Sequence, residues 1–139
     1  MRYEPMGRRA TGMTLIELMV VMAIVAILTA IAYPSYRSHV AKTHRKAAAA
    51  CLSQYANFME RYYTTNLSYE GAKPDLACRT ESDLNRFYTF PEPEIGENSR
   101  SYTVSAIPTD AQKDTDPSHC GELSLDQRGG REPKDDACW

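Results

Sequence analysis

The chain begins with an apolar stretch that carries a single charge. Residues 13–33 form a run of 21 residues in which Glu17 is the one charged side chain. A helix of this length is about 31 Å long at about 1.5 Å per residue, close to the ~30 Å hydrocarbon core of a bilayer. We therefore predict a transmembrane helix at residues 13–35. An unpaired carboxylate inside a membrane costs several kcal/mol, so Glu17 needs a partner.

A helical pattern continues beyond this stretch. Apolar residues recur at intervals of three or four residues, or twice that, which predicts a helix with one apolar face. Pro34 lies within the pattern and is predicted to kink the helix, because it removes one backbone hydrogen bond. Asn66 and Gly71 supply stop signals, so we expect the helix to end near Thr65. The apolar positions are Tyr36, Val40, Ala47, Cys51, Tyr55, Phe58 and Tyr62.

Three short segments after the helix have strand character, at residues 87–90, 101–107 and 121–126. In the second, Tyr102, Val104 and Ala106 alternate with polar residues, as expected of a sheet with one buried face. Prolines keep these strands short. We predict an α+β fold in which a small antiparallel sheet packs against the second half of the long helix.

Composition limits what the rest of the chain can do. From Arg37 to Trp139 there are 13 Lys or Arg and 16 Asp or Glu residues, a net charge of −3. Bulk nucleic-acid binding normally needs a basic surface, so nucleic acid is an unlikely partner by this measure, although a local basic patch is not excluded. The length suits one long helix and one small domain.

Residues 11–17 read T-G-M-T-L-I-E and resemble the prepilin signature of type IV pilins and type II secretion pseudopilins. The resemblance implies that a prepilin peptidase cuts after Gly12 and methylates the new amine of Met13. It also implies that Glu17 pairs with the N-terminal amine of a neighbouring subunit during assembly. The domains implied are a leader at 1–12, a membrane and assembly helix at 13–35, and a head at 36–139.

Two simpler interpretations of the N-terminus compete. A secretory signal cut after Ala30-Ile31-Ala32 would release a soluble protein beginning at Tyr33, and a plain signal anchor is the other. Basic residues stand on both sides of the apolar run, so charge does not set its orientation. Orientation therefore rests on the resemblance, which puts the leader in the cytoplasm. Either Met1 or Met6 can be the true start.

Four cysteines lie in the predicted head. Outside the inner membrane, an even number of cysteines in a small domain indicates a disulfide framework. Three connectivities are possible. We favour Cys120 with Cys138 and Cys51 with Cys78, since each joins a regular element to a loop close in sequence. The first pair would close the C-terminal loop.

The sequence offers no motif for catalysis, a cofactor or a metal. It has no nucleophile motif, phosphate loop or C-x-x-C pair. Asp110, Asp114 and Asp116 lack the glycine and the distal glutamate of an EF-hand loop, and such carboxylates in a polar stretch are usually solvated. We therefore predict a protein that is not an enzyme, with no metal site and no cofactor.

Further segments resemble the minor pilins of the PilE kind in type IVa pilus systems. The resemblance implies a pilin fold and a role in priming pilus assembly and in the tip complex, for twitching motility or adhesion. Implied partners are other minor pilins, the major pilin and a tip adhesin. The implied location is the inner membrane before assembly and the extracellular pilus, near its tip, afterwards. The matching segments are M-E-R-Y-Y-T at 59–64, Y-T-F at 88–90, S-Y-T-V-S-A-I-P at 101–108, C-G-E-L-S-L-D-Q-R-G at 120–129 and C-W at 138–139.

Two alternative functions stay open. A type II secretion pseudopilin shares the N-terminal signature but usually lacks the C-terminal cysteine pair. A DNA-uptake pilin would need a basic stripe on the head.

Overall fold

The structure, a computed structural model, describes residues 12–139. The chain divides into two compact units between Ser35 and Tyr36. The first helix, α1, covers Leu15–Asn66, which confirms the predicted end near Thr65. The proposed leader, residues 1–12, lies outside the described residues except for Gly12.

The first unit contains the apolar half of α1. Its large apolar side chains are exposed, from 45% for Val21 to 78% for Leu15. Leaving apolar surface in water costs about 25 cal/mol per Å². Among the described residues, α1 is the one helix long and apolar enough to cross a membrane. Pro34 lies inside α1, and the kink there stays a prediction.

The second unit contains a five-stranded antiparallel sheet. β3 is its centre: β4 pairs along one edge, and β1 and β2 pair with opposite ends of the other edge. β5 extends the sheet beyond β4. The strands are β1 (Tyr88–Thr89), β2 (Glu94–Ile95), β3 (Tyr102–Pro108), β4 (Leu123–Asp126) and β5 (Arg131–Glu132).

Alternation in the sequence explains the core. In β3, Tyr102, Val104 and Ala106 are buried, and β4 adds Leu123 and Leu125. They form one hydrophobic cluster with the buried face of α1, which contributes Ala48, Cys51, Leu52, Tyr55 and Met59. The predicted arrangement of helix and sheet is confirmed.

Both favoured disulfide pairs are present in the structure. Cys51 on α1 bonds to Cys78, 27 residues later. Cys120 bonds to Cys138, 18 residues later, which confirms the closed C-terminal loop. Chain-entropy estimates for loops of these sizes give about 3 kcal/mol of stabilisation each.

Several short elements were not predicted. Two helices, α2 (Leu84–Phe87) and α3 (Asp110–Lys113), flank the first strands, so the expected strand at 87–90 begins one residue later. β2 and β5 have two residues each and no alternation to reveal them. β5 follows a turn in which the Asp126 carboxylate accepts hydrogen bonds from the backbone N–H groups of Arg128 and Gly130, at 2.8 and 2.6 Å.

Candidate functional site

The predicted cleavage point lies just before the start of α1. Gly12, Met13 and Thr14 are outside the helix, which begins at Leu15. The Thr14 hydroxyl accepts a hydrogen bond from the backbone N–H of Glu17 at 3.3 Å. This is the spacing of a helix N-cap with a glutamate at the third helical position. The 12–13 peptide bond is therefore held outside helical hydrogen bonding.

Nothing in the described chain requires a glycine at position 12. A Cβ atom added to Gly12 would meet no described atom within 4 Å. Glycine is normally required where space or a left-handed backbone demands it. A requirement for glycine at this position would therefore come from another molecule, such as the predicted peptidase.

The Glu17 carboxylate belongs to an exposed residue on the apolar half of α1. Within residues 12–139 it makes no ion pair. The described part of a single chain thus provides no cation for this charge. Pairing with a neighbour's Met13 amine stays a prediction.

The head has a buried ion pair that joins distant segments. Arg45 on α1 is 3% exposed and Asp116 is 9% exposed. The Arg45 Nη1 donates to Asp116 Oδ1 at 2.6 Å and also to the Ser118 hydroxyl. Its Nη2 donates to the carbonyl of Ala137 at 2.9 Å. One guanidinium therefore ties the helix to the β3–β4 connection and to the C-terminal loop.

Other groups complete the coordination of Asp116. The backbone N–H of Ser118 donates to Oδ1 at 3.0 Å, and Gln112 Nε2 donates to Oδ2 at 3.2 Å. Burial raises the pKa of Asp116, but the hydrogen bonds from Arg45 and Ser118 outweigh it and hold the pKa below its ordinary value. Burial and this carboxylate together raise the pKa of Tyr88 to about 12. Asp116 is therefore ionised at neutral pH.

The sequence interpretation of Asp116 as a solvated loop residue was wrong. The sequence analysis did not recognise that α1 carries a cation on its buried face. Arg45 lies at helical spacing between Ala41 and Ala48, which are both buried. A charged residue among buried positions requires a buried counter-charge. The helical spacing of Arg45 between buried residues was the available signal for a buried cation, although it does not identify which carboxylate pairs with it.

A cleft of ≈240 Å³ lies beside this network, lined by residues that include Tyr88, Gln112 and His119. It is smaller than the roughly 300–1,000 Å³ usual for ligand pockets. Among the described residues no cluster of His, Cys, Asp and Glu is arranged to hold a metal.

The C-terminal residue folds back onto its own loop. Trp139 Nε1 donates to the carbonyl of Pro133 at 2.9 Å. The Arg131 guanidinium lies over the indole ring, 5.2 Å from its centre. A cation over an aromatic ring is attracted by the ring quadrupole, by about 0.5–1 kcal/mol at exposed sites.

Two family models match the chain. One, described as the prokaryotic N-terminal methylation motif, matches residues 7–33. The other, described as type IV minor pilin ComP, DNA uptake sequence receptor, matches residues 34–124. Together they cover the apolar half of α1 and most of the head.

Similar proteins are subunits of pili. A fimbrial protein of Neisseria meningitidis serogroup B is 32% identical over 77 residues, which are 55% of this chain and 45% of that protein. The type IV wide pilus major component PilA4 of Thermus thermophilus is 39% identical over 62 residues, 45% of this chain and 47% of that protein. The chain thus spans about half the length of these relatives. A solved type IV pilin from Shewanella oneidensis is 29% identical with a TM-score of 0.56, covering 71% of this chain and 97% of that one.

We predict that Asp116→Asn lowers the free energy of unfolding of the head, residues 36–139, by about 3–5 kcal/mol, because Arg45 is left buried without its counter-charge. The double variant Arg45→Met with Asp116→Leu should cost less than Asp116→Asn alone, since it leaves no buried charge. Urea unfolding at pH 7 measures both. A double variant less stable than the single one would contradict this account.

The same measurement against pH supplies the control. The folded-state pKa of Asp116 is below the ordinary 3.8, so its contribution is present above pH 3.8 and is lost as pH falls through the folded-state value. Burial also lowers the pKa of His44 from 6.5, which removes stability as pH falls below that value. In Asp116→Asn, the loss below pH 3.8 should shrink while the loss near pH 6.5 remains.

Proposed function

Because the chain belongs to the type IV pilin family, with a match to the ComP minor-pilin domain and a prepilin methylation motif, we propose that it is a minor subunit of a type IVa pilus. Its proposed role is in priming pilus assembly and in the tip complex. The domains proposed are the leader at 1–12, the membrane and assembly helix at 13–35 and the head at 36–139.

One observation carries this proposal: an exposed apolar helix whose carboxylate has no ion pair in the described chain. The side chains from Leu15 to Ile31 that are named as large and apolar are at least 45% exposed. In the membrane, lipid covers them. In a filament, the helices of neighbouring subunits would cover them instead, so the same surface serves both states.

Cleavage would create the missing cation. A cut after Gly12 frees the amine of Met13, which is positively charged and lies two residues before Leu15, the first residue of α1. A neighbour's Glu17 can then bind this amine. Each charge is costly alone in an apolar environment, and two paired charges attract strongly where the dielectric constant is low. Neighbouring helices are therefore favoured in the one axial position that places the Met13 amine of one subunit beside Glu17 of the next.

The proposed partners follow from this chemistry. Before assembly they are the prepilin peptidase and the inner membrane. Afterwards they are other minor pilins, the major pilin and a tip adhesin, and the proposed location is the extracellular pilus near its tip. The pilin fold and family are those of structural proteins, and no catalytic role is proposed.

A second candidate function is a receptor for DNA during uptake. The description of the matching family favours it. Arg131 and Trp139 provide a cation next to an aromatic ring, the combination that contacts nucleic acid in many proteins. The net charge of −3 from Arg37 to Trp139 opposes it, because phosphate neutralisation supplies most of non-specific DNA affinity. We therefore place it second.

For the first candidate, we predict that Glu17→Ala is inserted in the membrane and cleaved normally but is depleted from pili at least tenfold. The variant lacks the partner of the Met13 amine. Immunoblots of sheared filaments and of membranes, compared with a Glu17→Asp variant that retains the charge, provide the measurement. Normal amounts of Glu17→Ala in filaments would rule out the pairing.

For the second candidate, we predict that the head, residues 36–139, shows no retained binding to genomic duplex fragments at about 0.15 M salt, where the Debye length is about 8 Å. A gel-shift assay at low and moderate salt measures this. Arg131→Ala is the matched control, since it removes the cation over Trp139. Binding that persists at moderate salt and is lost in Arg131→Ala would favour the DNA-receptor function over ours.

A further inference from the structure

Charge is divided unevenly within the head. The helical part, residues 36–66, has five Lys or Arg and one Glu, a net charge of +4. The remainder, residues 67–139, has eight Lys or Arg and fifteen Asp or Glu, a net charge of −7. Among the described residues one ion pair joins the two parts, Arg45 with Asp116. Most of the charge of each part is therefore left facing outward.

Two lysines on α1 are without compensation. Lys42 and Lys46 are exposed and one turn apart, so they lie on the same face. The positions three and four residues away hold no Asp or Glu, and the described chain gives neither lysine an ion pair. Like charges at this spacing destabilise a helix by about 0.2–0.5 kcal/mol. We call this pair the lysine face.

Three carboxylates form the opposite surface. Glu92, Glu94 and Glu97 are exposed, lie within six residues and make no ion pair in the described chain. Glu94 belongs to β2, which pairs with β3 opposite Thr103. The backbone N–H of Gly96 donates to the carbonyl of Ser101 at 2.9 Å. The carboxylates are thus carried on a hydrogen-bonded segment, which we call the glutamate loop.

The two surfaces do not neutralise each other within one head. The Tyr55 hydroxyl donates to the carbonyl of Pro91 at 3.1 Å, so the glutamate loop meets the helix at Tyr55, on its buried side. Lys46 lies nine residues earlier on the exposed side, which is about 14 Å of helix rise. The Debye length at physiological salt is about 8 Å. Attraction between these charges inside one head is largely screened.

We propose that the lysine face of one head binds the glutamate loop of a second copy of this chain. The two surfaces are different parts of the molecule, so the contact is heterologous. Two small exposed side chains near the lysines, Ala50 and Ser53, leave room for a close approach. This inference rests on the proposed function, since it needs subunits held side by side.

The test is carbodiimide cross-linking of the full chain in bacterial membranes and in sheared filaments. This reagent joins a lysine amine to a carboxylate without a spacer. We expect a dimer on immunoblots, with peptides joining Lys42 or Lys46 to Glu92, Glu94 or Glu97. A variant with Lys42→Glu and Lys46→Glu should lower the dimer yield at least fivefold.

Charge reversal on the partner makes the test specific. Glu92→Lys with Glu94→Lys should also lower the dimer yield, and mixing the two reversed variants in one cell should restore it. Lys134→Glu is the matched control, because this exposed lysine lies outside the lysine face and should leave the yield unchanged.

Three results would overturn the inference. The first is a dimer yield unaffected by reversal of the lysines. The second is a loss that the mixed variants do not restore. The third is a variant with Lys42→Glu and Lys46→Glu that still cross-links normally but no longer binds phosphatidylglycerol vesicles, which would assign the two lysines to a membrane surface. Normal cleavage and filament incorporation alongside any of these would leave the proposed function standing, whereas an uncut chain absent from filaments would reject that function itself.

Discussion

The head is organised around one buried charge. Arg45 lies on the buried face of α1, and its guanidinium is bound by Asp116, Ser118 and the carbonyl of Ala137. Because an uncompensated buried charge costs several kcal/mol, each of these segments must occupy its place for the helix to pack. The Cys120–Cys138 bond closes the same region covalently. The C-terminal loop, which has few apolar residues of its own, is thereby fixed by charge and a covalent bond as well as by the burial of Cys138 in the core.

Elsewhere in the described chain, several charged side chains have no ion-pair partner within the same molecule. Glu17 makes no ion pair in the described chain, and the same holds for Lys42 and Lys46. Within the head, the buried charge of Arg45 is paired with Asp116, while Glu17 on the assembly helix and the two lysines on the exposed face of α1 have no such partner in the described chain. This division matches a subunit that folds alone and becomes fully satisfied only among its neighbours. The proposed filament contacts and the fold therefore rest on the same rule, that a charge taken from water needs a partner.

Periodicity in the sequence predicted the long helix and the central strands, because each has enough residues to repeat a pattern. The predicted apolar face of the helix was partly wrong: Cys51 and Tyr55 are buried in the core, but Tyr36 is 69% exposed. It did not predict β2 or β5, whose two residues are held by backbone hydrogen bonds to partners distant in sequence. Cysteine spacing pointed to both disulfide pairs. The Arg45–Asp116 pair was missed because its members are 71 residues apart, and a single sequence does not show which carboxylate meets a buried cation. The N-terminal signature identified the candidate cleavage site through resemblance, and the structure adds that Gly12 and Met13 precede the helix.

The central claim is that this chain is processed as a prepilin and enters a filament. The most direct test is mass spectrometry of the intact protein and of its N-terminal peptide, taken from its own membranes and from sheared filaments. Our account predicts a chain that begins at Met13 with a methylated amine in the filament fraction. A chain that begins at Tyr33, or one that retains residues 1–12 in every fraction, would contradict it.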